Sequence, residues 1–352
     1  MVKIALITDT HFGARNDSGV INDYMIKFYN DIFFPYVIDN EIKTVIHLGD
    51  LVDRRKYVNF VTLNSLRTDF IFRLQDSGIT THIIVGNHDT YYRNTNRINA
   101  INELFGDAPF IHIYDRPETV NFDGLDICFM PWINPENLED SMTEITNTPA
   151  QILMGHLEVS GFSMFKGAVC NHGISKKTFQ KFDVVYSGHF HYKSDDGHIY
   201  YLGSPYEIMW SDYDIKKGFH TFDTDSRELN FIENPYKLFN MVYYDDTNAD
   251  HLDDVMTDFQ SYEGTYVKVV VRNKQNPFFF DKFIDGLYMS SPQNISILEG
   301  SNELIDDDDI VDEAEDTLTI LEKYVESMNL DVDKGRLNSL LKDLYIEALD
   351  IV

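Results

Sequence analysis

The chain has 352 residues, 58 acidic against 29 basic side chains, a net charge of −29, and a hydrophobic fraction of 43%. That length exceeds what one hydrophobic core usually serves, so a large domain with one or two small ones is expected. No apolar run approaches the roughly 18 residues of a membrane span, and the global acidity argues against broad electrostatic capture of nucleic acid.

The N-terminal run from Met1 to Ile7 is too short for a signal peptide and lacks a small-residue cleavage site, so it predicts a buried first strand. Cys128 and Cys170 are far apart in sequence and form no metal-type pair. They read as reduced structural thiols, which fits a cytoplasmic protein (that of the bacterial host if the chain is phage-encoded).

Over the first 210 or so residues one pattern repeats. A short apolar run ends in a cluster of Asp, His, Asn or Gly. Ile4–Thr8 runs into Asp9-Thr10-His11, Thr44–Leu48 into Gly49-Asp50, and His82–Val85 into Gly86-Asn87-His88-Asp89. Ile152–Met154 runs into Gly155-His156, and Val184–Ser187 into Gly188-His189-Phe190-His191. Segments of helical length, such as 22–40 and 60–77, separate several of these runs. Buried strands alternating with helices predict an α/β domain, with reactive residues at the carboxyl ends of strands, where such folds place ligands. Arg54, Arg55, Lys56, Arg93 and Arg97 cluster after two of the reactive loops. They are either solvated surface or contacts for a phosphate backbone. Tyr91 and Tyr92 either stack on an unpaired base or pack in the core.

A second region begins near Asn240. Met241–Tyr244, Thr265–Val271 and 294–298 read as strands, 250–260 as a short helix and 278–288 as a longer one, a small α+β module. Residues 303–316 hold nine acidic side chains and no basic one, the pattern of a solvated linker. Leu318, Leu321, Tyr324, Val325 and Met328 then recur at helical spacing. Beyond Asp333, a fitting N-cap, so do Leu337, Leu340, Leu341, Leu344, Tyr345 and Ala348. On pattern alone these two amphipathic helices serve equally well as core or as a docking device. The expected organisation is a catalytic domain at 1–239, a capping module at 240–300, an acidic linker at 301–315 and a helical segment at 316–352.

Any single cluster is weak, since a lone His is more often structural than a ligand. Five of them, each following a predicted strand, supply Asp9, His11, Asp50, Asn87, His156, His189 and His191. Imidazoles, carboxylates and one amide oxygen suit divalent manganese, iron or zinc, and the lack of thiolates argues against a closed structural zinc site. Seven ligands exceed one tetrahedral site and fit two ions sharing a carboxylate, the arrangement that hydrolyses phosphate esters.

In this order, Asp9-x-His11, Gly49-Asp50-x-x-Asp53-Arg54, Gly86-Asn87-His88-Asp89, Gly155-His156 and Gly188-His189-x-His191 resemble the calcineurin-like metallophosphoesterase superfamily. The resemblance implies a β-sandwich of mixed sheets flanked by helices. It also implies that Asp9, His11 and His191 hold one metal, that Asn87, His156 and His189 hold the other, and that Asp50 bridges. His88 would sit near the scissile phosphate as transition-state stabiliser or general acid.

The Gly49–Arg54 stretch also resembles the serine/threonine phosphatases. Those continue with Gly where Arg55 stands and place Glu where Asp89 stands. Phe182–His191 with Tyr201-Leu202-Gly203-Ser204-Pro205 is similar to the SbcD-type nucleases of double-strand-break repair. Gly155-His156-Leu157-Glu158 with Gly161-Phe162 and Phe165-Lys166-Gly167 looks closest to the recombination endonuclease subunits of T-even-like phages. That family implies a manganese-dependent DNA exonuclease or endonuclease. It also implies a homodimer, for which 60–77 is the expected interface, and C-terminal helices that dock on an SMC-like, SbcC-type ATPase. Many cellular members carry His where Asp53 stands, so the placing of the substrate phosphate, and with it the catalytic part of Asp53, departs from their pattern. The alternative function is a stand-alone metallophosphatase or small-molecule phosphodiesterase.

Overall fold

The computed structural model describes residues 3–165 and 168–299, and beyond them only Val325, Lys334, Leu337, Leu340 and Leu341, all helical. The chain divides into two compact units, Met1–Ile297 and Leu298–Val352. All of the acidic linker and most of the two C-terminal helices read from the sequence lie outside the described residues.

Two six-stranded sheets form the main body of the larger unit. In the first, Leu229–Glu233, Gly218–Asp223, Lys3–Ile7, Thr44–His47, Thr80–Ile84 and Ile111–Tyr114 lie side by side in that order. From Lys3–Ile7 through Ile111–Tyr114 this sheet is parallel, and Gly218–Asp223 pairs antiparallel at its other side. The second runs Ser194–Asp195, Ile199–Tyr201, Val184–Gly188, Ile152–His156, Leu125–Met130 and Glu118–Phe122. Both sheets are mixed, as expected. The strands that precede the reactive clusters fall where the sequence pattern put them. The antiparallel hairpins at the margins carry no such cluster and were not read from the sequence.

Ile4, Leu6, Ile46, Leu48, Ile84, Phe129, Met154, Tyr186 and Phe222 form one buried cluster drawn from strands of both sheets. Side chains alternate along a strand, so the neighbours Ala5, Ile7, Val45 and Ile83 join a different cluster with the helices. There Met25, Phe28, Tyr29, Phe33, Phe34, Leu66 and Phe70 are buried. On the second sheet Cys128, Leu153, Val185 and Phe179 form the equivalent cluster. Cys128 and Cys170 are buried, unbridged thiols, and burial pushes the Cys128 thiol up to about 12.

The helical segment from Gly19 to Asp39 widens into a π-turn at Tyr29–Phe33 just before Pro35. Proline has no N–H and its ring collides with the carbonyl four residues back, so a wider turn there avoids the clash. Residues Phe60–Asp76 form a second helical segment, also with a π-turn, at Leu66–Ile71.

Residues 239–299 form a three-stranded sheet of Phe239–Asp245, Tyr266–Asn273 and Asn294–Glu299 with the helix Pro277–Met289. Val242, Tyr244, Val267, Val269, Phe280, Phe283 and Leu287 give this module its own apolar cluster. The helix expected over 250–260 is instead two short 3-10 turns, Leu252–Asp254 and Phe259–Tyr262. From this segment Val255, Phe259 and Tyr262 still pack, partly buried, against the module's apolar cluster.

Candidate metal centre

The five reactive loops leave the carboxyl ends of Lys3–Ile7, Thr44–His47, Thr80–Ile84, Ile152–His156 and Val184–Gly188 and meet at one place. Asp9, His11 and His191 bring one donor atom each within 4.8 Å of one another, and so do Asp50, His156 and His189. Backbone at this place is held in an unusual conformation. Asp9, His11, Asp50 and His189 have φ of 51°, 43°, 56° and 90°, a left-handed region that L-residues enter only when the surroundings over-determine it. Close approach also explains a motif glycine, because a Cβ on Gly86 would lie 2.2 Å from the Asp50 carboxylate.

Nε2 of His11 and Nε2 of His191 lie 3.0 Å apart. Asn87 Oδ1 sits 2.9 Å from His156 Nε2 and 3.0 Å from His189 Nδ1. Oδ2 of Asp50 stands 3.7 Å from His11 Nε2 and 3.2 Å from His156 Nε2, while its Oδ1 accepts the His88 N–H. One carboxylate oxygen thus faces a ligand from each group. Ring nitrogens pointing at one another beside an amide oxygen and two carboxylates form a poor set of mutual partners. They are a good donor set for two borderline-hard cations, so the residues present fit a dinuclear centre.

Second contacts fix the imidazoles. His156 Nδ1 lies 2.7 Å from the Leu48 carbonyl and His88 Nδ1 2.6 Å from the Asp53 carbonyl, so each ring donates through Nδ1 and turns Nε2 inward. Nδ1 of His11 faces the Asp53 carboxylate at 3.3 Å. Asp53 therefore sets a carboxylate behind a candidate ligand. Asp9 accepts from Thr8 Oγ1 at 2.7 Å and from the His189 N–H at 3.0 Å.

Electrostatics agree with a site made for cations. Burial alone would lower the His11 and His156 imidazoles, yet Asp53, Asp50 and Asp9 carry His11 up to about 10, and Asp50 and Asp9 carry His156 up to about 9. Burial would raise Asp50, yet His156, His88 and His11 hold it well below the usual carboxylate range. Burial raises Asp9, and burial with the neighbouring His11 and Lys217 charges keeps His191 neutral.

Two carboxylates that the sequence reading had not placed matter here. Asp89 is fully buried and accepts backbone N–H groups from Gly86, Asp50, Leu51 and Val52 at 2.8, 2.9, 2.9 and 3.2 Å. It clamps the loop that carries Asp50. Glu158 Oε2 stands 3.4 Å from His189 Nε2, opposite the nitrogen that faces Asn87. Glu158 stood in the Gly155-His156-Leu157-Glu158 motif, but no role was read for it.

The basic residues divide. Arg54 is committed to Asp17 at 2.8 Å, with Asn16 and Tyr57 beside it, and Arg55 reaches Thr90 Oγ1 at 3.4 Å. Arg97 pairs with Glu136. Lys56 and Arg93 are exposed, as are Tyr91 and Tyr92, so the tyrosines do not pack in the core. His47 and His82 are buried strand residues hydrogen-bonded to Thr10 and Tyr114, as expected of satisfied histidines. Among the described residues, no helix is long and apolar enough to cross a membrane.

Comparison with known proteins places this geometry. A protein called exonuclease subunit 1 from Enterobacteria phage T4 is 30% identical over 350 residues, covering 99% of both chains. The DNA double-strand break repair protein Mre11 of Saccharolobus solfataricus is 29% identical over 223 residues, 59% of this chain and 55% of that one. Among solved structures, a dimetal phosphatase from Danio rerio overlaps at a TM-score of 0.36, with 11% identity over 62% of this chain and 91% of that one. So weak an overlap adds nothing to the sequence matches. The family model for calcineurin-like phosphoesterases matches residues 2–193, the span that carries all seven donors, and the chain belongs to that family.

Proposed function

We propose that the chain is a two-metal DNA nuclease, the phosphodiesterase subunit of a double-strand-break repair or recombination complex. The observation that carries this reading is the similarity to the T4 exonuclease subunit over 99% of both chains, which extends past the phosphoesterase domain through the capping module and the C-terminal segment.

Asp9, His11 and His191 would hold one ion and Asn87, His156 and His189 the other, with Asp50 shared between them and manganese the expected metal. Two such ions orient a phosphate, lower the pKa of a bound water and stabilise the charge of an in-line displacement. The protein's own part is positional. His88, tied at Nδ1 to the Asp53 carbonyl, presents Nε2 to the substrate side, where it stabilises the phosphorane oxygens or gives a proton to the leaving oxygen. Asp53 orients His11 from behind, which is the positioning role assigned to it here. Lys56 and Arg93 are the basic residues left to meet the DNA backbone, because Arg54 is engaged within the chain and Arg55 leans on Thr90.

Homodimerisation through the Phe60–Asp76 segment is supported by exposed apolar side chains there. Phe60, Val61 and Phe72 are 87%, 75% and 46% exposed, and Tyr57 just before the segment is 62% exposed. The C-terminal helices dock an SMC-like ATPase. Deleting residues 316–352 tests this, since the truncated chain should lose such a partner in a pull-down while keeping its metal-dependent phosphodiesterase activity.

The deciding experiment is cleavage of labelled linear duplex DNA with manganese, with EDTA and with His88→Ala, alongside a phosphomonoester. Manganese-dependent DNA cleavage, abolished by EDTA and by the substitution, with little phosphomonoester turnover, is the expected result. Strong phosphomonoester turnover with DNA left intact would favour a stand-alone phosphatase instead.

A further inference from the structure

A recess of about 430 Å³ opens beside the candidate metal centre, lined by Trp132, Ile133, Pro135, Leu138, Ile174 and Glu158 among others. It is continuous with that centre. The Trp132 ring lies 5.1 Å from the His189 ring and 6.3 Å from that of His156. Glu158, also in the lining, faces His189 at 3.4 Å.

Both walls are built in advance. Trp132 donates its backbone N–H to the Val85 carbonyl at 2.8 Å, and its own carbonyl accepts the Asn96 and Asn137 side-chain amides at 2.9 Å each. Buried Asn134 ties the same loop to Asn96 at 2.9 Å and to the backbone of Glu136 and Asn137. On the facing side Ile174 donates to the Glu158 carbonyl at 2.8 Å. Gly173 permits that approach, since a Cβ there would lie 2.6 Å from the same carbonyl. Such a network holds an indole and several aliphatic side chains open to solvent, although collapse would bury them.

We propose that this recess is a nucleobase subsite, taking one unpaired base of the cleaved strand next to the scissile phosphate. The inference rests on the nuclease reading. A phosphodiester seated on the two ions carries a base one sugar away on either side, so its neighbour must lie somewhere beside the centre. An apolar-lined recess with an aromatic ring suits the face of a base. The Glu158 carboxylate accepts hydrogen bonds and donates none, so it suits an exocyclic amino group. A duplex cannot offer such a base without unpairing it, so the subsite favours frayed ends and single strands.

The test scans an abasic nucleotide through a labelled single-stranded oligonucleotide, with manganese and the full chain, and follows kcat/KM at a fixed cleavage position. Bis(p-nitrophenyl) phosphate, which has no base, reports the metal centre separately. Loss of stacking at a single position flanking the cut should lower kcat/KM about tenfold. Leu138→Gln, at the exposed rim on a helix first turn, should shrink that penalty to about twofold, and Trp132→Phe should reduce it in part. A merely structural effect of either substitution would lower all oligonucleotides alike and leave the profile unchanged, which counts against the subsite. Cleavage with a flat abasic profile overturns the subsite alone. Hydrolysis of the base-free diester with every oligonucleotide left intact overturns the nuclease reading, and the subsite with it.

Discussion

Asp89 offers the sharpest test of how the candidate centre is held. Its side chain is fully buried and receives four backbone N–H groups, two on each oxygen, one of them from Asp50 itself. Asp89→Ala orphans all four donors. An unsatisfied buried polar group costs about 1–3 kcal/mol. Taking the low end, because water can enter the space left, the loss is about 4 kcal/mol, in the range reached only by broken buried networks. Asp89→Asn keeps one accepting oxygen but turns an amide NH₂ toward two N–H donors, so about half that loss is expected. Asp89→Glu adds a methylene to a site with no room, at about 1–3 kcal/mol. Burial and the neighbouring Asp50 push the Asp89 carboxyl up to about 6, so the measurement belongs at pH 7.5, where it is ionised. Urea unfolding in EDTA, with unchanged m-values, reads the differences directly. An Asp89→Ala chain within about 1 kcal/mol of the parent would refute the clamp and the reasoning from hydrogen-bond count.

Glu158→Gln should weaken manganese binding about 10- to 100-fold by calorimetry, the usual effect of removing a carboxylate behind a ligating His; unchanged affinity would make Glu158 a bystander. His88→Ala should lower kcat on bis(p-nitrophenyl) phosphate about 10²- to 10⁴-fold while leaving a stoichiometry of two ions, and loss of an ion would mean that His88 is a ligand instead. Stability of the metal-free chain should fall below neutral pH for a reason remote from the centre. Burial holds the His220 and His82 imidazoles neutral, down to about 3 and about 4 against an ordinary 6.5. The unfolded chain takes up those protons first, so their contribution is complete above pH 6.5 and is lost as the pH falls toward 4. Each imidazole loses about 1.4 kcal/mol per pH unit. His220→Phe should flatten the pH dependence of the urea midpoint between pH 6.5 and 5, and an unaltered slope would show His220 protonated in the fold.

The five strands that lead into the reactive loops were legible because each is an apolar run closed by a polar cluster, a pattern set by burial on both faces. The seven candidate donors stand out in the sequence for the same reason. A strand end is the one place where a buried run can hand over to reactive side chains without exposing the run. The hairpins Glu118–Phe122 with Leu125–Met130 and Gly218–Asp223 with Leu229–Glu233 were not, since they end in ordinary turns. Asp89 stood in view as a motif residue, but its role lies in backbone donors 37 to 39 residues away. Glu158 and Trp132 were less visible still. One loop brings Trp132 to His189 and another brings Glu158, and no spacing in a single sequence encodes a contact between loops.

The global charge and the proposed substrate then have to be reconciled. Two divalent ions would change −29 to only −29 + 4 = −25, so the chain as a whole repels a polyanion at distances within the Debye length, about 10 Å at 0.1 M salt. Capture by a wide basic surface, the usual route to non-specific DNA binding, is closed to it. What remains is contact at short range: the two ions, the exposed Lys56 and Arg93, and a recess that recognises a base by its face and amino edge rather than by phosphate. Such a chain gains little from sliding along intact duplex and much from an end or an unpaired strand presented to it. On the proposed reading, a partner subunit that brings and opens DNA is therefore what the electrostatics of this subunit require, and acidity becomes a means of confining cleavage to DNA that the assembly has delivered.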